Sequence, residues 1–203
     1  MMWSHLVLGF VTSYLGYLPP SMLNITASKL CISKNKGEAH KFVWGVSLVV
    51  LLQVFTAVFI SGLLQEQQFL LRALQKVGVL VLGVISVLFL YKGWTTKEIS
   101  KETKGINSFI LGLMLSLINM FAIPFFIVEF KLYMSYGWLM RDLYSVLFFA
   151  LGAAIGVLAV LYNYVFIADK FQENLAKLLR FFTLGIGILT GIVAVYYAVK
   201  LYF

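Results

Sequence analysis

Pro19, Pro20, Ser21 and Asn24 stand together in one apolar stretch of this chain, and Asn119 and Pro124 stand in another. Residues of these types at such positions suit one kind of chemistry, the reversible holding of a small solute. A helix interrupted inside a membrane leaves carbonyls and amides that can meet a passenger, and interruptions in corresponding segments point to a midplane site. Tandem Pro19-Pro20 removes two successive N–H donors and restricts the residue before them. A single proline such as Pro124 has the competing reading of a tolerated kink. Asn24 follows Pro19 by five residues and Asn119 precedes Pro124 by five, a mirrored spacing expected to bring both amides to one depth.

Further polar side chains interrupt the apolar runs at Thr26, Gln53, Thr56, Ser116 and Asn163. A polar group at membrane depth is costly and faces the bundle interior or a wet cavity, so each is a candidate contact. The competing readings are bonds from Ser and Thr back to the preceding turn, and helix-to-helix glue for Gln53 and the asparagines. Glu129 is the one carboxylate expected to be partly embedded. It is read either as a proton or cation carrier or as an interfacial residue paired with Lys131.

Other chemistries find no support in the sequence. His5 and His40 fall at span ends or loops, with no partners at metal-ligand spacing. Cys31 is the sole cysteine, which excludes disulfides and dithiol redox chemistry within the chain. No phosphate-binding glycine loop, nucleophile elbow or His-Glu metal helix is visible. Neither an enzyme nor a cofactor is expected.

The elements that must position these residues are apolar helices. Of 203 residues, 62% are hydrophobic and 12% charged, against about 45–50% and about 25% in soluble domains. A spanning helix needs about 20 apolar residues. Six segments are read as spans: Leu6 to Ala27, Phe42 to Leu64, the shortest at Val77 to Tyr91 (or from near Phe69, across Arg72 and Lys76), Phe109 to Val128, Leu143 to Ile167 and Phe181 to Tyr202. The fold class is therefore an all-α integral membrane protein with six transmembrane helices. Asn24-Ile25-Thr26 lies inside a span, so its match to a glycosylation acceptor is read as accidental.

The net charge of +8 is a matter of topology rather than of nucleic-acid binding. The first, third and fifth loops carry eleven lysines and arginines: Lys29, Lys34, Lys36 and Lys41, then Lys92, Lys97, Lys101 and Lys104, then Lys170, Lys177 and Arg180. The opposite side has Arg72, Lys76, Lys131, Arg141 and Lys200. Positive loops stay cytoplasmic, which puts both termini outside and anionic lipid headgroups beside the basic loops. Lys29 is read as a snorkelling residue. Trp3, Trp44, Trp94 and Trp138 fall near span ends, where amphipathic rings favour the headgroup region. Met1 to His5 has no lysine or arginine and no small-residue cleavage site ends the apolar run, so the first span is expected to be retained.

Three spans per half make the second half enter from the opposite side. The chain is expected to be one transporter domain of two inverted three-helix repeats, about 1–95 and about 108–203, joined by a cytoplasmic linker of about 95–107. Their first helices, the first and fourth spans, are those broken by proline. Gly152 to Gly156 and Gly187 to Gly191 are small-residue seams, open to contact within one chain or between two.

Leu18-Pro19-Pro20-Ser21-Met22 followed by Ser33-Lys34-Asn35-Lys36-Gly37-Glu38-Ala39 resembles the first-span signature of the lysine-exporter-type (LysE/RhtB) superfamily. Leu90-Tyr91-Lys92-Gly93-Trp94 is similar to that family's third-span ending, and Gly112 to Phe126 has its glycine, asparagine and double phenylalanine. The chain departs from the pattern at Ser21-Met22 and at Asn119-Met120-Phe121, where the family commonly has Gly-Pro and Asn-Pro-Lys. The resemblance implies gradient-driven export of amino acids or related small solutes through a bacterial inner membrane, often by a homodimer. It carries over Pro19, Pro20 and Asn119, to which the local argument adds Asn24 and Pro124. Proton antiport is the expected source of energy. Two rivals stand beside this reading. A thiol-disulfide electron carrier lacks its required cysteine pairs here, and a non-transporting scaffold or regulatory subunit of a larger complex would show no flux.

Overall fold

The computed structural model describes residues 2–63, 83, 84, 86–88, 90, 91, 106–119, 121–170 and 175–202. Its helices are α1 (Met2–Tyr17), α2 (Met22–Ser33), α3 (Lys36–Leu63), α4 (Ser108–Ile118), α5 (Ala122–Ser135), α6 (Leu143–Lys170) and α7 (Leu175–Tyr202). Among the described residues there is no strand. Two compact units result, one of Met1–Leu63 with Lys101–Gln172 and one of Leu64–Ser100 with Glu173–Phe203. Most of the third expected span lies outside the described residues, as do Arg72, Lys76, Lys92, Trp94, Lys97, Lys101, Lys104 and Met120.

α3 and α6, 28 residues each, are long and apolar enough to cross a membrane. α1 with α2, and α4 with α5, add two more spans if each bent pair counts as one. The first pair bends by 79° across the interval that holds Pro19 and Pro20. The second bends by 63° at Asn119–Phe121, of which Met120 lies outside the described residues. That bend comes before Pro124 rather than at it. Pro124 stands in the first turn of α5, where an absent N–H leaves no helical bond unmade.

In the first unit the leading helix of each bent pair follows a straight helix. Leu6 lies against Gly152 and Asn163 bonds Tyr14, so α1 runs along α6 in the same direction, while α2, turned by the bend, meets α6 at Tyr164 and Val165. Ser108 bonds Glu38 and Gln53 bonds the Ser116 carbonyl, so α4 likewise runs with α3. Glycine permits both approaches. A Cβ on Gly9 would strike the Phe149 carbonyl and one on Gly152 the Leu6 carbonyl; a Cβ on Gly45 would strike the Phe109 carbonyl and one on Gly112 the Phe42 carbonyl. In all four cases the obstructing carbonyl belongs to the residue three before the partner glycine. Two helix pairs therefore share one reciprocal contact. The same register aligns Ser47 on α3 with Ala154 on α6, and these two meet, Ser47 Oγ donating to the Ala154 carbonyl at 2.9 Å.

Gly156 also packs on α1, at the Phe10 carbonyl, so the seam of the fifth expected span is filled from within the chain. In the second unit, Gly187 packs on Leu90 and Gly191 on Ser86, whose hydroxyl donates to the Gly187 carbonyl at 2.7 Å.

Phe42, Phe126, Phe130 and Phe149 are fully buried in the first unit. Leu48, Leu52, Phe59, Leu151 and Ile155 of α3 and α6 are exposed. Helices apolar on both faces fit a surrounding that is itself apolar. Charged contacts collect at the ends. At one end Lys36 pairs with Asp169 at 2.8 Å, Glu38 accepts from Lys41 and Ser108, and Lys34 donates to the Ile106 carbonyl. At the other, Arg141 lies on Gly62 and donates to the Val58 carbonyl at 3.3 Å. Trp3, Trp44 and Trp138 are exposed.

Candidate functional site

The interval between α1 and α2 exposes a run of carbonyls, since Pro19 and Pro20 have no N–H and the helical ladder stops at Tyr17. Side chains take up three of them. Asn24, fully buried, donates through Nδ2 to the Tyr17 carbonyl at 2.8 Å and to the Pro19 carbonyl at 2.9 Å. Tyr164 Oη, from α6, donates to the Leu18 carbonyl at 2.8 Å. Asn24 Oδ1 accepts in turn from Ser21 Oγ at 3.0 Å. Ser21 is the N-cap of α2 with an extended backbone, and its side chain makes no capping bond to the helix. A carbonyl left unpaired in a buried place costs about 1–3 kcal/mol, which explains why polar residues gather at this corner. Both amide hydrogens of Asn24 are thus committed to the backbone.

At the other bend, Asn119 ends α4 and donates its backbone N–H to the Ser116 carbonyl at 3.1 Å. That carbonyl also accepts from Gln53 Nε2 at 2.9 Å, while Gln53 Oε1 is buried without a partner. Tyr17 joins the two bends. Its carbonyl is held by Asn24 and its buried hydroxyl reaches the Asn119 side chain, although no hydrogen bond closes between them. Gly16 lies under the Phe125 ring, 2.6 Å from where its Cβ would stand, which lets the end of α1 sit on the start of α5.

Pro19, Pro20, Ser21 and Asn24 therefore form one cluster, with Asn119 and Gln53 in a second cluster linked to it through Tyr17. Pro124 faces outward. Asn163 is also exposed, donating to Tyr14 Oη at 2.8 Å. Thr56 bonds back to the Leu52 carbonyl, and Ser116 Oγ donates to the Val46 carbonyl at 3.4 Å. Glu129 is half-buried and lies beside the Tyr133 hydroxyl, which shares a 2.7 Å hydrogen bond with Thr12 Oγ1. Among the described residues no ion pair joins Glu129 to Lys131, and none groups three His, Cys, Asp or Glu around a common point.

Reading the sequence for polar residues passed over the tyrosines. Tyr14, Tyr17, Tyr133 and Tyr164 count as aromatic bulk in a hydropathy profile, yet each carries a hydroxyl that is costly to bury unpaired. The signal was available in Gly16-Tyr17 and Asn163-Tyr164, where a tyrosine adjoins a break or an amide. A comparison with family models matches residues 14–201 to the family described as LysE type translocator. No curated protein and no solved structure shows a significant match to the chain.

Proposed function

The chain belongs to the LysE type translocator family, a family of multi-pass membrane transporters, and from that premise we propose that it is a secondary-active exporter of amino acids or related small solutes, driven by proton antiport. The observation that carries this reading is the meeting of the two bends, where Gly16 at the end of α1 lies under the Phe125 ring at the start of α5. The solute binds between the first and fourth spans, among Pro19, Pro20, Ser21, Gln53 and Asn119, while Asn24 holds the first break in shape. Pro124 presets the first turn of α5, and Asn163 braces Tyr14.

Two inverted three-helix repeats supply the motion, rocking about that site. The reciprocal glycine contacts support the repeat, as does the order of a bent pair followed by a long helix, which occurs twice. The positive-inside asymmetry supports periplasmic termini in an inner membrane. It is joined by the convergence of Lys34, Lys36, Glu38, Ser108 and Asp169 at one end, which brings the first loop together with the start of the fourth span and the end of the fifth.

The test is loss of isotope-labelled amino acids from loaded proteoliposomes under an imposed pH gradient. Gradient-dependent flux that Asn119→Ala reduces at least about tenfold is the expected result, a barrier change of about 1.4 kcal/mol. Absence of flux for every amino acid under either gradient overturns the reading. Glu129 carries the coupling proton, so Glu129→Gln leaves a flux that no longer follows the gradient. Unaltered proton coupling in that variant removes Glu129 from the mechanism.

A further inference from the structure

Native proteins rarely leave buried side-chain polar atoms without partners, and each exception requires an explanation. Three occur among the described residues: Ser13 Oγ, Tyr17 Oη and Gln53 Oε1. Ser13 lies in the α1–α6 seam, where its Cβ is 3.1 Å from the position a Cβ on Gly156 would take. The other two flank the last turn of α4. Tyr17 is 7% exposed and its hydroxyl reaches toward the Asn119 side chain; Gln53 is 5% exposed, and its amide nitrogen bonds the carbonyl that also receives the Asn119 N–H.

Phenylalanine would fill the space of Tyr17 without an unsatisfied hydroxyl. Gln53 uses one end of its amide as a tether, so its oxygen has a fixed position rather than a free swing. Among the described residues the polar groups at this point are uncharged: a phenol, a carboxamide oxygen, the Ser116 hydroxyl and the Asn119 amide. Such a set recognises a partner through directed hydrogen bonds.

We propose that Tyr17 Oη and Gln53 Oε1 are solute-contact groups, and that the carried molecule presents N–H or O–H donors to them. This rests on the transport reading above and deepens it. Gln53 Oε1 can only accept, so the solute must donate there. Tyr17 accepts from the solute or donates to it. An α-ammonium group and an α-hydroxyl group both meet the requirement. A solute whose α-nitrogen is acylated and whose remaining groups are apolar retains a single amide donor and binds more weakly.

The experiment compares the wild-type chain with Tyr17→Phe and Gln53→Met in proteoliposomes loaded with an isotope-labelled amino-acid mixture, the matching α-hydroxy acids or the N-acetyl amino acids. Melting temperatures are measured in detergent without solute. The expected result for Tyr17→Phe is a half-saturating concentration raised about tenfold or more, the equivalent of about 1.4 kcal/mol. Its melting temperature should equal or exceed that of the wild type, because an unpaired buried hydroxyl has been removed. Gln53→Met should show the same loss of affinity. The amino-acid and hydroxy-acid arms tell an ammonium donor from a hydroxyl donor, and preferred carriage of the N-acetyl compounds overturns the donor requirement.

Wild-type flux that Tyr17→Phe leaves unchanged overturns the inference and spares the transport reading. A lowered melting temperature for Tyr17→Phe makes its hydroxyl structural and likewise overturns it. Lack of wild-type flux in all three arms overturns both.

Discussion

The Tyr164 hydroxyl donates to the Leu18 carbonyl at 2.8 Å across 146 residues of sequence. A side chain from the fifth expected span thus completes the backbone of the first. The interruption between α1 and α2 is a built corner, with the Asn24 amide serving the carbonyls on either side of Leu18. Its stability is spread over two helices.

Removing either partner leaves carbonyls at this corner unpaired, the Tyr17 carbonyl in a buried place and the others in part-buried ones. Asn24→Ala frees one buried and one part-buried carbonyl and Tyr164→Phe one part-buried carbonyl, so Asn24→Ala is the more destabilising, the penalty for a fully buried group being about 1–3 kcal/mol. Both lower the melting temperature in detergent, Asn24→Ala by more. Equal stability in the two variants and the wild type contradicts the capped corner.

Gly152→Ala drives a methyl into the Leu6 carbonyl, and Gly45→Ala drives one into the Phe109 carbonyl. Overpacking of this kind costs about 1–3 kcal/mol. Gly185→Ala meets nothing within 4 Å and should equal or exceed the wild type, since glycine inside a helix costs about 0.5–1 kcal/mol against alanine. Thermal melting of the three variants checks the contrast, and a Gly152→Ala chain as stable as Gly185→Ala goes against it.

Cys31 is buried beneath the Lys36–Asp169 pair, with its thiol 3.7 Å from the Val165 carbonyl. It is the chain's sole cysteine, so its labelling reports on the α2–α6 seam alone. Lys36→Ala is expected to speed maleimide labelling several-fold while changing stability by less than about 1 kcal/mol. Exchanging the charges, Lys36→Asp with Asp169→Lys, should restore slow labelling. No change in rate for Lys36→Ala disconnects the pair from the seam.

Asp142 stands before α6 and accepts from the backbone N–H and the hydroxyl of Ser145. These bonds hold its carboxyl below the usual carboxylate range. Because the folded value is depressed, the stabilisation is fully present above the unfolded value of about 3.9 and disappears as pH falls through the folded one. Asp142→Ala should therefore reduce stability at neutral pH and flatten its acid dependence. A wild-type acid profile retained in that variant excludes the cap.

The helical elements were legible because they are simple. α3 and α6 begin and end within six residues of the limits that apolar length assigns to the second and fifth spans. The bend between α1 and α2 was legible because tandem proline cannot donate. The second bend was not, since a proline is read as an ending while Pro124 works as a beginning, three residues into α5. The use of Asn24 was hidden too. Sequence shows an amide at membrane depth, but whether backbone or passenger takes its hydrogens depends on where Tyr17 and Pro19 turn their carbonyls. Tyr17 itself was masked by its aromatic bulk. Gly9-x-x-x-Ser13 and Gly112-x-x-x-Ser116 repeat a pattern whose meaning appears only once Gly152 and Gly45 face them.

Backbone lies directly on backbone where Gly9 meets Gly152 and where Gly45 meets Gly112. Helices engaged at that range interlock like gear teeth, and sliding by even one residue would drive carbonyl oxygens into main chain. α1 is thereby locked in register to α6, and α4 to α3. The elbow between α1 and α2 is itself fastened by the Asn24 and Tyr164 hydrogen bonds, so the first bent pair is braced along its whole length.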